Sequence, residues 1–193
     1  IVLLSVVRES LFLLGNGVDL YGTGKLQVAP WFLVFISLFE GVLNNWFGVR
    51  IFFIVLDVLI AAVLQELLKA AEGEVSGGPF NRDELVVAYM FNPFSFFSVL
   101  GMNFGLLTLL LQLTAFLAAF KGKLKLTIAL AAFLAYTDIY LMALMVPLMI
   151  LHCRKGGNVT SFVIKSLAMM AGLWLTSDWI IWMNWKVYSE CAF

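Results

Sequence analysis

The stretch LVVAYMFNPFSFFSVLGMNFGLLTLLLQLTAFLAAF, residues 85–120, carries no charged side chain over 36 positions. As one straight helix it would run about 54 Å, against a membrane hydrocarbon core of about 30 Å. The segment must therefore bend. Asn92-Pro93 and the region from Gly101 to Gly105 are the break points available. Proline disfavours helix at the residue before it, and glycine tolerates unusual dihedrals. The expectation is a bent first leg and a full second leg.

The whole chain agrees with this reading. Of 193 residues, 63% are hydrophobic and 12% charged, and the mean hydropathy is +1.00. A soluble domain runs nearer half apolar and a quarter charged, so a solvated surface cannot be built from this composition. Twelve basic and 12 acidic side chains cancel, which argues against a nucleic-acid partner. At about 20 residues per span the length allows at most about nine crossings, and about five to seven once loops are subtracted. The fold class is all-α: one polytopic transmembrane helical domain over residues 1–193, with broken or re-entrant helices. The chain opens at Ile1 with an apolar start that stops after Val7, and reads as a fragment whose first helix begins upstream.

Outward from the decisive stretch, residues 8–30 hold glycine at 15, 17, 22 and 24 and proline at 30, and read as a polar loop with one short amphipathic turn. Residues 31–48 are apolar apart from Glu40 and the Asn44, Asn45 pair, with Trp31 and Trp46 near the ends, and suit a piece that re-enters. Ile51–Leu68 is a span interrupted by Asp57, and the charged residues after it set a loop at 69–84. Lys121, Lys123 and Lys125 form one basic cluster and Arg154-Lys155 another. The positive-inside rule puts both, with the 69–84 loop, on the cytosolic side, and the 8–30 loop on the opposite, luminal face. Residues 126–153 must then go in and come back, as two short helices turning at Thr137-Asp138. A last apolar run, Ser161–Met183, carries its tryptophans toward the far interface.

Ionisable groups inside a membrane are costly, so Glu40, Asp57, Asp138, Lys165 and Asp178 are functional candidates. The ordinary alternative for each is pairing, capping a broken helix or snorkelling to an interface. Asp138, at the proposed turn, is the one expected to face a polar cavity. His152 is the single histidine, which leaves no metal cluster and makes a Ser/His/Asp or Cys/His nucleophile unpromising. Cys153 and Cys191 have neither disulfide-framework nor CxxC spacing. No cofactor is expected. Asn158-Val-Thr160 matches the glycosylation sequon but falls on the cytosolic side of this topology.

The segments VVRESLFLLGNGVDLYGTGKLQVAP, LDVLIA, YMFNPFSFFS and VPLMIL, with the lysine cluster between them, together resemble the phosphatidylinositol glycan class U family. This family is a multispan subunit of the glycosylphosphatidylinositol (GPI) transamidase of the endoplasmic reticulum (ER) membrane. The resemblance covers residues 6 to about 153, and implies that this chain corresponds to the family's N-terminal half. It implies a non-catalytic subunit that helps bind the GPI lipid and scaffolds the complex. The implied partners are other transamidase subunits, including a caspase-like cysteine protease subunit. The family is similar in architecture to dolichol-phosphate-mannose-dependent ER mannosyltransferases, which carry an acidic pair in the first luminal loop. Here that loop offers Glu9 and Asp19, ten residues apart.

Three hypotheses follow. The first is the non-catalytic transamidase subunit. The second is a mannosyltransferase using Glu9 or Asp19, and the third a small-solute transporter using Asp57 and Asp138. Asn92, Pro93, Tyr136 and Asp138 are the candidates for lipid contact or helix breaks, with Glu9, Tyr21 and Pro30 shaping the luminal loop.

Overall fold

The computed structural model describes residues 4–15, 29–43, 45–72, 82–154 and 157–191. These form ten α-helices and one 3-10 segment, with no strand among the described residues. They are α1 (Leu4–Gly15), α2 (Pro30–Ser37), α3 (Glu40–Leu43), α4 (Trp46–Glu72), α5 (Arg82–Met90), α6 (Pro93–Leu100), α7 (Gly105–Phe120), α8 (Leu124–Thr137), the 3-10 segment Ile139–Leu144, α9 (Met145–Arg154) and α10 (Val159–Cys191). Trp46–Ala71 and Val159–Trp179 are long and apolar enough to cross a membrane, and shorter apolar helices lie between them. The protein is an all-α membrane protein.

The run at 85–120 bends twice. α5 stops before Asn92-Pro93, and α6 stops at Leu100. The second break is a Schellman-type turn: Asn103 N–H donates to Ser98 O at 3.1 Å and Met102 N–H to Val99 O at 3.1 Å. The left-handed residue in that turn is Met102 (φ 49°), although Gly101 stands beside it. α7 closes on the same motif with a glycine, Gly122 (φ 68°), and Lys123 N–H donating to Ala118 O at 2.8 Å. Residues 126–153 also divide as their length demands, at Asp138 between α8 and the 3-10 segment.

Two loop boundaries differ from the sequence reading. The 8–30 stretch is helical to Gly15, and Pro30 is the first residue of α2, where its missing N–H costs nothing. Two polar side chains of α1 have partners. The Arg8 guanidinium reaches across to donate to Leu43 O, and Ser10 Oγ donates to Val6 O at 2.6 Å. At 69–84, α4 continues to Glu72 and α5 begins at Arg82. Tyr21 and Asp19 lie outside the described residues.

α4 and α7 run parallel. Phe53 meets Phe104 near their N-terminal ends, with ring centroids 5.4 Å apart, and Glu66 meets Lys121 near their C-terminal ends at 3.5 Å. The broken α5–α6 leg returns between these ends. Phe104 is the centre of an aromatic knot that also takes Phe32 at 6.0 Å and Phe52 at 6.5 Å, joining α2, α4 and the α6–α7 turn. A second core, built from Ala115, Ala119, Ile128, Ala131, Leu134, Leu148 and Phe162, joins α7 to α10, and Leu111 packs against both. Small alanines let α7 and α8 approach closely, as membrane helices require.

Phe104→Ala should cost about 3 kcal/mol, the usual scale for emptying a buried aromatic site. A melt of the detergent-solubilised protein followed by size-exclusion chromatography reads the drop in midpoint. Phe47→Ala, at a side chain 69% exposed, should leave the midpoint unchanged.

Candidate functional site

Proline 93 creates the local problem from which one candidate site is built. A proline withdraws the N–H that a helix would give to the carbonyl four residues back, here that of Tyr89. Ser95 supplies the replacement: its Oγ donates to Tyr89 O at 3.0 Å and to Asn92 O at 2.8 Å, and it is buried. Asn92 N–H also donates to Tyr89 O, at 3.1 Å. The break thus holds Tyr89 in place, and the Tyr89 phenol donates to Asp57 Oδ1 at 2.7 Å across to the middle of α4. A carboxylate inside a membrane span is tied to a hydroxyl on the returning leg. Sequence reasoning identified Asp57, Asn92 and Pro93 but not Tyr89 or Ser95, since Tyr89 lies 32 positions from its partner.

A second cluster forms where α8 ends. Asp138 is extended (φ −148°, ψ 119°), and its Oδ1 accepts from Tyr140 N–H at 3.0 Å, capping the 3-10 segment. Thr137 Oγ1 donates to Leu134 O at 2.9 Å. Tyr136 forms a hydrogen bond with Ser177 of α10, whose Oγ also donates to Leu173 O at 2.7 Å. One residue away, Thr176 Oγ1 accepts from the Trp31 indole N–H at 2.8 Å. Trp31, Tyr136 and the Thr176-Ser177 pair are therefore gathered at one end, with Asp138 exposed beside them. No signal in the sequence pointed to Thr176 or Ser177.

The remaining candidates are dispersed. Glu9 is exposed on α1 and Lys165 and Asp178 are exposed on α10, while Pro30 opens α2 beside Trp31. The side chain of Glu40 lies outside what the structure describes. His152 packs its ring against Phe162, with centroids 5.6 Å apart. Asn158 caps α10, its Oδ1 accepting from Thr160 N–H at 2.9 Å, so the sequon asparagine has a structural partner. Among the described residues no group of three or more His, Cys, Asp and Glu comes together to hold a metal. At the opposite end from Trp31, Glu66 bridges Lys69 at 2.7 Å and Lys121 at 3.5 Å, so the charged end of α4 and the first lysine cluster share one end of the molecule.

A family model described as GPI transamidase subunit PIG-U matches residues 3–193. No curated protein matches the chain.

The Asp57–Tyr89 bond should behave as a coupled pair. Tyr89→Phe should lower stability in detergent by about 1 kcal/mol, the scale of interhelical hydrogen bonds in membranes. Once Tyr89 is Phe, Asp57→Asn should add no further loss attributable to the bond. A double-mutant cycle on unfolding midpoints measures this, and strictly additive losses would show that the two groups do not interact.

Proposed function

The chain belongs to the PIG-U family of GPI transamidase subunits, and on that premise we propose that it is a non-catalytic subunit that helps bind the GPI lipid and scaffolds the complex. It sits in the ER membrane as a multi-pass protein, with the Glu66–Lys121 end cytosolic and the Tyr136–Ser177 end luminal. Its partners include a caspase-like protease subunit that cleaves the precursor and joins it to the lipid.

The observation that carries this reading is where the polar groups inside the apolar helices spend their bonding capacity. Asp57 is taken by Tyr89, the Asp138 carboxylate caps a helix break, and Tyr136 is taken by Ser177. A catalytic constellation needs a nucleophile, a base and an orienting group within mutual reach. Asp57 and Asp138 instead tie a returning leg to α4 and cap a helix break. Broken helices bounded by apolar faces leave clefts for a lipid, and α4 and α10 present many exposed apolar side chains, among them Ile54, Val58, Ile164, Leu167 and Leu175. In a membrane such faces meet lipid or other transmembrane helices.

Asp138 ends α8 where the luminal end is assembled, whereas Glu66 is an exposed member of a surface ion pair, of a kind worth about 0–1 kcal/mol. In cells lacking the endogenous subunit, full-length protein carrying Asp138→Ala should restore surface GPI-anchored protein several-fold less well than Glu66→Ala. Flow cytometry of a surface GPI-anchored reporter measures this. Mass spectrometry of what co-purifies with the wild-type protein in mild detergent should find the protease subunit, and recovery of the protein alone would overturn the proposed role.

A further inference from the structure

Arg50 lies one turn inside the apolar helix α4. Its guanidinium stands over the Trp46 ring, 4.7 Å from the centroid, and among the described residues no carboxylate pairs with it. The two side chains form one wall of an open, surface-facing cavity of about 310 Å³ completed by Ile54, Val99, Leu100 and Met102. That size is at the small end of ligand pockets, which run about 300–1,000 Å³, and is enough for a headgroup or part of a chain. Apart from the guanidinium, the lining side chains are hydrophobic.

Two features mark the cavity as more than a gap in packing. Arg50 is exposed, so in a membrane its cation faces lipid, where an anionic group is its natural counterpart, and Trp46 orients it without neutralising it. Met102 also reaches the wall from a left-handed backbone (φ 49°) that costs a non-glycine residue about 1–3 kcal/mol. Glycine in that position would close the α6–α7 turn without strain but would remove the side chain from the cavity. Arginine and tryptophan near the start of an apolar helix also sit at the depth of lipid phosphates.

We propose that this cavity holds a phospholipid, with its phosphodiester on Arg50 and the start of one acyl chain along Ile54, Val99 and Leu100. This deepens the lipid-binding reading and rests on it for the membrane setting. The phosphodiester could belong to the GPI lipid or to an ordinary phospholipid, since both present the same group.

Complex containing the full-length subunit would be purified in mild detergent, and lipid bound per copy measured by extraction and mass spectrometry. Arg50→Gln should lower retention of one phosphate-bearing lipid about tenfold, the scale of losing a charge-assisted hydrogen bond. Arg50→Lys should recover part of it, and Leu100→Trp, which fills the cavity and leaves the cation, should also lower it. The mass of the lost species identifies it as GPI or ordinary phospholipid, and either supports the proposal. After delipidation, dioleoylphosphatidylinositol should rebind and dioleoylglycerol should not. Unchanged lipid in Arg50→Gln, or equal rebinding of dioleoylglycerol, would overturn the proposal. So would an Arg50→Gln complex that keeps its lipid and sheds a protein subunit, which would assign the cation to a partner's carboxylate. Retention of every phosphate-bearing lipid by the Arg50→Gln complex at wild-type level, GPI lipid included, would leave the broader lipid-binding reading standing while rejecting this site.

Discussion

A backbone amide or carbonyl inside hydrocarbon has no water to turn to, and every break in a membrane helix must satisfy its own polar groups. That constraint organises this protein. Its helices break repeatedly, and at several of the described breaks a side chain takes up what the backbone releases. Ser95 serves the carbonyls beside Pro93, and Asp138 receives the Tyr140 amide. Asn103 Oδ1 accepts from Gly105 N–H at 2.9 Å between α6 and α7, and Asn45 Oδ1 accepts from Phe47 N–H at 3.0 Å ahead of α4. Arg8 does the same work at longer range for the Leu43 carbonyl. These short polar residues are what allow an apolar chain of this length to fold into more than a set of straight rods.

With the breaks fixed, packing follows from side-chain size. Phenylalanines fill the wide junction where α2, α4 and the α6–α7 turn meet, and alanines line the narrow one between α7 and α8. The parallel arrangement of α4 and α7 requires a return leg between them, and the double bend at Asn92-Pro93 and Met102 supplies it. The same bend sets the walls around Arg50, so the cleft is a by-product of how an overlong apolar run was accommodated.

How much of this could be read in advance depended on whether the chemistry was local. Proline acts on its immediate neighbours, and an aspartate that interrupts two half-length apolar runs marks a turn, so the breaks at Pro93 and Asp138 were legible. The Gly101–Gly105 break was legible in place but not in kind, because the strained residue is Met102. Glycines at 15, 17, 22 and 24 made residues 8–30 look like one loop, although Arg8 and Ser10 had tertiary and local partners that keep α1 helical to Gly15. Tyr89 with Asp57 and Tyr136 with Ser177 were not legible, since nothing near either residue announces a partner 32 or 41 positions away. Arg50 was passed over because it fell between two apolar runs. It became conspicuous only when α4 proved to start at Trp46 and carry the arginine inside.

The bond from the Trp31 indole to Thr176 joins positions 145 apart. During synthesis α2 is complete long before α10 emerges, and Tyr136 waits for Ser177 as well. Until α10 arrives, the indole N–H and the phenol lack these partners. The last helix therefore acts as a latch, and a half-made chain differs chemically from a finished one at the very surface that α10 later covers.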